Sequence, residues 1–231
     1  MRTGAATAPV DVERREDAVE RTGITLVLGG AGSGKSEVGE AIAAAAAGGG
    51  PVTYVATGPA PGSGEEPAPD TGTEPGTLLG TSWEERVATH RARRPPAWST
   101  AEVPPGGDLG AVLRGVDGVA LVDSLGTWVA GLPGFGRPGD AGAVERGVPA
   151  GRLLDALGDR LRGGALTVVV TEEVGLGVHP STAVGGAFRE ALGRLNRDVA
   201  QLADPVLLVV AGRVLPLERV PSVGPVFGTA P

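Results

Sequence analysis

Three features of the sequence predict an α/β fold with a mostly parallel sheet and helices on both faces. A short apolar run, Ile24 to Leu28, ends in a glycine-rich loop that passes straight into a helical pattern. Further apolar runs of strand length recur down the chain, alternating with helical segments. Clusters of Gly and Pro punctuate the boundaries between them. Strands that are apolar along their whole length need cover on both faces, and crossover helices supply it.

The elements follow in order. Residues 1–22 are polar, Ala-rich and charged, and are expected to form a flexible N-terminal extension. The first strand leads into Gly29-Gly30-Ala31-Gly32-Ser33-Gly34-Lys35-Ser36, and a helix is predicted from Lys35 to about Ala47. Gly48-Gly49-Gly50-Pro51 ends that helix, and Val52 to Ala56 reads as a second buried strand. Residues 58–81 carry so much Pro, Gly, Glu and Thr that a flexible insertion is expected. A helix is predicted from Trp83 to Ala92, stopping before Pro95-Pro96, and Val119 to Asp123 is a third strand that ends in an acid. After a Gly/Pro-rich break at 131–142 come a helix over 150–163, a strand from Ala165 to Thr171, and a long helix from Phe188 to Leu202. Val206 to Ala211 is a fifth strand, Val214 to Leu217 a short last one, and 218–231 a C-terminal tail. Residues 23–217 are thus expected to form a single domain without internal repeats.

Composition removes several classes of function. Hydrophobic residues make up 41% of the chain and the formal charge is -7, as expected of a folded, water-soluble domain. A sequence pI of about 4.9 argues against nucleic acid as a partner, since duplex binding needs a basic surface. The absence of cysteine excludes disulfides, thiolate metal sites and cysteine nucleophiles. The apolar run Ala41 to Ala47 is far shorter than the roughly 20 residues that span a bilayer, and no signal-peptide block precedes the first strand, so a cytoplasmic location without a membrane partner is expected.

The glycine loop carries the strongest chemistry. It matches G-x-x-x-x-G-K-[ST] in full and in the required strand-to-helix context, which makes the predicted fold P-loop NTPase-like. Consecutive backbone N–H groups at Gly29, Gly30, Ala31, Gly32, Ser33 and Gly34, with a helix N-terminus behind them, form a concave anion site. Lys35 then reaches the β- and γ-phosphates and the Ser36 hydroxyl ligates Mg2+. Lys35 is the only lysine in a chain that otherwise uses Arg. Asp123, closing a strand, is a candidate for the second metal ligand, or alternatively a turn acid ahead of Ser124.

Other candidates are weaker on their own. Arg86, His90 and Arg94 are spaced to share a helix face, where arginines hold phosphates while the imidazole attacks phosphorus. Read alone, the same residues describe an Arg-rich solvated face with one histidine. Glu172 and Glu173 follow the fourth strand, at the sheet edge where ligands bind, and either orients a substrate hydroxyl, acts as a base, or caps the loop. His179 reads as incidental. A guanine-reading Asn-Lys-x-Asp motif is excluded, because the only asparagine, Asn196, is followed by Arg197.

Six segments in order resemble the bifunctional adenosylcobinamide kinase and adenosylcobinamide-phosphate guanylyltransferase family of cobalamin biosynthesis: LVLGGAGSGKSE, VTYVATG, ERVATHRARRPPAWSTAE, LVDSLGTWVAGL, VVVTEEVGLGVHP and FREALGRLNRDVAQLADPVLLVVAG. The likeness runs from about Gly23 to Leu217. It implies a homotrimeric, Mg2+-dependent transferase that uses ATP or GTP to phosphorylate adenosylcobinamide. The same enzyme takes GMP from GTP onto a histidine and passes it to adenosylcobinamide phosphate, giving adenosylcobinamide-GDP. The guanylylated histidine of the family falls on His90, and nucleotide contacts fall on Ala56, Thr57, Gly58, Arg91, Ala92, Arg93, Arg94, Glu102 and Asp123. Position 123 is commonly Glu in the family, position 89 is Thr where some members carry a second histidine, and His179 stands where an apolar residue is common. The competing readings are a single-activity P-loop kinase of small molecules and a non-catalytic nucleotide-binding regulator.

Overall fold

The computed structural model describes residues 22–60, 83–132 and 147–217. The expected N-terminal extension apart from its last residue, all but the first three residues of the 58–81 insertion, and the C-terminal tail lie outside them. The described chain runs β1 (Gly23–Gly29), α1 (Lys35–Ala47), β2 (Val52–Thr57), α2 (Trp83–Arg93), β3 (Ser99–Val103), α3 (Leu109–Arg114) and β4 (Val119–Asp123). It continues through α4 (Leu125–Gly131), α5 (Gly147–Arg162), β5 (Leu166–Glu172), α6 (Ala183–Ala200), β6 (Val206–Val210) and β7 (Arg213–Pro216).

The strands form one seven-stranded sheet in the order β3-β2-β4-β5-β1-β6-β7. Every pairing is parallel except that of β7, which returns antiparallel along β6 after the turn at Ala211 and Gly212. Val- and Leu-rich strands suit this arrangement because both of their faces are covered. On one face α1 lays Ala43 and Ala46 against Val27, Tyr54, Leu121 and Val170. On the other, α3, α4, α5 and α6 bury Leu113, Trp128, Leu157 and Leu192 against Val55, Val122 and Val169. Each of these large apolar side chains contributes roughly 1.5–3 kcal/mol by leaving water.

Three elements went unpredicted: β3, α3 and α4. β3 is the sheet edge, with three of its five residues exposed, so it lacks an apolar run. α3 and α4 span 6 and 7 residues, too short for a helical period to show. α6 begins earlier than expected, at Ala183, because the Thr182 hydroxyl caps it by accepting from Gly185 N at 3.1 Å.

Two buried polar side chains bind the layers together. Arg160 is 7% exposed, and its guanidinium donates to Thr167 Oγ1 at 2.8 Å and to the carbonyls of Leu113, Val116, Gly118 and Leu166. Burial pulls its pKa down, a cost that these five acceptors offset. Asn196 accepts from the Thr171 hydroxyl at 2.8 Å and donates to the Glu172 carbonyl at 3.0 Å, fixing α6 to the end of β5. The lone asparagine therefore works within the fold. Arg160→Met should destabilise the protein by about 3 kcal/mol, since it strands buried carbonyls; urea denaturation measures the loss, and a change within error of zero contradicts this account.

Candidate active site

Parallel pairing brings the carboxyl ends of the central strands to one edge, and register sets their levels. Gly29 lies opposite Glu172, while Asp123 lies opposite Val170 on one side and Ala56 on the other. Ala56 in turn faces Glu102. Ligands in open α/β sheets bind beyond this edge.

The glycine loop rises between β1 and α1. Gly34 immediately before the helix has φ 95°, a left-handed conformation that a side chain would strain. The loop is braced from both neighbouring strands: Glu173 N donates to Gly29 O at 3.1 Å, and Gly212 N donates to Ser33 O at 2.9 Å. Gly30, Ala31 and Gly32 are exposed, whereas Ser36 is buried in the first turn of α1. Ser33 Oγ is buried without a hydrogen-bond partner among the described residues.

Lys35 Nζ stands 3.5 Å from Glu172 Oε1, with the two side chains 13% and 25% exposed. The other carboxylate oxygen, Oε2, accepts from Ser124 Oγ at 3.0 Å and from Gly126 N at 3.1 Å. A Cβ on Gly126 would collide with that carboxylate. Burial raises the Glu172 pKa, Lys35 opposes the rise, and the charge of Asp123 adds to it. Glu173, which the sequence left equivalent to Glu172, turns away and accepts from Gly175 N at 2.6 Å within its own loop.

Asp123 Oδ2 accepts from the Tyr54 hydroxyl at 2.7 Å. Burial, then the Asp123 charge, push the Tyr54 pKa far above its usual value, so this hydroxyl is a permanent donor. The Arg94 guanidinium lies 3.2 Å from the Tyr54 ring centroid. Thr57 pins the turn that follows Asp123: its hydroxyl donates to Ser124 O at 2.7 Å and accepts from Ser124 N at 2.9 Å. The Asp123–Ser124 peptide is cis.

The arginines after His90 diverge. Arg91 pairs with Glu102 at 2.7 Å, and Arg93 pairs with Glu37 and Glu40 on α1. Ala92 is exposed, and Gly58 N donates to Val103 O at 3.0 Å. His90 is in the last two turns of α2, and its side chain, with those of Trp83 to Arg86, lies outside the described residues. Three participants escaped the sequence: Tyr54, Ser124 and Gly126. Tyr54 is the only tyrosine of the chain, a rarity of the kind that singled out Lys35.

The geometry yields a pH dependence. Because the folded-state pKa of Glu172 is raised, the fold binds its proton more tightly than the unfolded chain does. The associated stability is present below the unfolded pKa of about 4.3 and is lost as pH rises through the folded value. Glu172→Gln should therefore be more stable than the parent at neutral pH, with the gap closing toward acid. Urea midpoints measured across a pH series test this, and a gap that widens on acidification counts against it.

Residues 25–217 match the family model for cobinamide kinase / cobinamide phosphate guanyltransferase. The chain is 34% identical over 199 residues to the bifunctional adenosylcobalamin biosynthesis protein CobP of Pseudomonas aeruginosa, covering 85% of this chain and 98% of that one. It is 31% identical over 193 residues to the bifunctional adenosylcobalamin biosynthesis protein CobU of Salmonella typhimurium, covering 81% and 95%. Among solved structures it is similar to the flagellar accessory protein FlaH from Methanocaldococcus jannaschii, with TM-score 0.47 and 14% identity over 83% of this chain and 74% of that one. With a family model spanning the sheet from its first strand to its last, and relatives matched over nearly their whole length, the chain belongs to the cobinamide kinase / cobinamide phosphate guanylyltransferase family.

Proposed function

We propose that this protein catalyses two transfers at one nucleotide site: phosphorylation of adenosylcobinamide by ATP or GTP, then GMP transfer from GTP to adenosylcobinamide phosphate through a GMP–His90 intermediate. The observation that carries this reading is the tie between α2 and the phosphate loop. Arg93, three residues after His90, pairs with Glu37, two residues after Lys35. The histidine helix is thus held beside the first turn of α1, where the loop ends.

In the first transfer the loop amides hold the triphosphate and Lys35 leaves Glu172 for the phosphate oxygens. The freed Glu172 carboxylate, steadied by Ser124 and Gly126, orients the attacking hydroxyl and takes its proton. The hydroxyl oxygen bonds to the γ-phosphorus as the bond to the nucleoside diphosphate breaks. Ser36 and Asp123 would hold Mg2+: a hydroxyl and a carboxylate are hard oxygen donors of the type this ion combines with phosphates and water. When bound, the ion neutralises charge on the β- and γ-phosphates. Tyr54 keeps Asp123 in place.

In the second transfer an imidazole nitrogen of His90 bonds to the α-phosphorus of GTP and pyrophosphate leaves. An oxygen of the acceptor's phosphate then attacks the same phosphorus and the P–N bond breaks, releasing adenosylcobinamide-GDP and restoring the histidine. Ala56, Thr57, Gly58, Arg91, Ala92, Arg94 and Glu102 frame the nucleotide along the β2, β3 and α2 ends. A homotrimer in the cytoplasm completes the proposal. Among the described residues no helix is long and apolar enough to cross a membrane.

His90→Ala should abolish covalent labelling by GTP carrying label on the α-phosphate while kinase turnover persists. An acid-labile adduct retained in that variant contradicts the histidine assignment, and no adduct in the parent protein favours a single-activity kinase. Lys35→Ala should lower both activities by roughly 100-fold or more, a loss of at least about 2.7 kcal/mol in transition-state stabilisation; near-normal kcat in steady-state assays of either reaction overturns the loop's role.

A further inference from the structure

Beside the nucleotide site the same sheet edge carries an open cavity of about 540 Å³. The loop after β5 forms one wall and α6 the other, with Glu173, His179, Arg189, Glu190, Arg194 and Arg197 among its lining. Glu190, Arg194 and Arg197 recur at i, i+4 and i+7 and so share one helix face. The cavity adjoins the phosphate loop directly: the backbone of Glu173 is bonded to Gly29 O, and its side chain lines the cavity.

The arginines divide by what they already do. Arg189 is spent on the loop, donating to the carbonyls of Gly175 and Val178 and holding the wall in shape. The side chains of Arg194 and Arg197 make no hydrogen bond or ion pair among the described residues. Of the two acids, Glu173 is turned to Gly175 N. Two uncommitted guanidiniums thus face one cavity of a chain whose net charge is -7. Guanidinium pairs suit phosphate oxygens, which they bind with charge-assisted hydrogen bonds. In the loop between the lining residues Gly175 and His179, Leu176 and Val178 are 81% and 95% exposed.

We propose that this cavity is the acceptor site of the guanylyl transfer: Arg194 and Arg197 bind the phosphate monoester of adenosylcobinamide phosphate, and Leu176 and Val178 contact the organic body that carries it. The assignment rests on the functional reading above. It accounts for one enzyme handling a neutral hydroxyl and a charged phosphate on the same organic body. The two exposed apolar residues read the body, and the arginine pair reads the phosphate added in the first step.

The half-reactions separate the sites. GMP–enzyme formation requires GTP alone, whereas its discharge requires the acceptor. In the full-length protein, Arg194→Gln/Arg197→Gln should form the GMP adduct at the parental rate. It should raise the half-saturating concentration of adenosylcobinamide phosphate in discharge roughly ten- to hundred-fold, leaving the limiting rate and the KM for adenosylcobinamide in the kinase step close to the parent's. Leu176→Ser/Val178→Ser should raise both constants. Unchanged half-saturation in the arginine variant overturns the proposal, as does a parallel loss of adduct formation, which would place these residues in the nucleotide site or in folding. If the parent protein forms no adduct, the functional reading fails separately. Equilibrium dialysis of adenosylcobinamide phosphate against parent and variant then decides the cavity, and equal affinities sink it.

Discussion

Lys35 is held against Glu172, and most of the site follows from how that carboxylate is placed. One oxygen meets the ammonium and the other is fixed by Ser124 and the Gly126 amide, so two chain segments converge on one acid. Its position depends on β5 lying between β1 and β4, which sets Glu172 opposite Gly29 and two residues beyond the level of Asp123. Its orientation depends on α4 starting with Ser124 and presenting a residue without a side chain at 126. A half-buried ion pair with extra hydrogen bonds adds little net stability, because desolvation consumes the attraction. Its effect is to fix where the ammonium stands before any phosphate arrives.

The second acid is organised by different means. Asp123 is approached by a buried phenol that keeps its proton, and that phenol is covered by Arg94 from the segment after α2. The two carboxylates therefore occupy unlike environments, one beside an ammonium and one beside a neutral donor. Such differences assign distinct work to groups of the same kind.

Much of the fold was legible because its central strands are largely apolar and α1 and α5 run into glycines. α1 begins and ends where the loop lysine and Gly48 predict, and β4 ends on its acid. The edge strand and the two short helices were not legible: STAEV has no apolar run, and α4 shows barely two turns. At the site, the glycine loop and Lys35 could be read from spacing alone. Tyr54 was hidden because an aromatic inside a buried strand looks like core, and only strand pairing reveals that its hydroxyl meets Asp123. Glu172 and Glu173 could not be separated, since adjacent residues at a strand end point to opposite sides and the sequence does not state which side faces Lys35.

The attachment of α2 carries a further consequence. The ties that join it to α1 and β3 include ion pairs at partly exposed positions: Arg91 with Glu102, and Arg93 with Glu37 and Glu40. Contacts of this kind are worth about 0–1 kcal/mol each and weaken with ionic strength. The sheet and phosphate loop, by contrast, are set by buried hydrogen bonds and packed apolar layers. These ion pairs therefore weaken with salt before the sheet and loop do, so ionic strength bears on how firmly α2 is tied beside the fixed anion site.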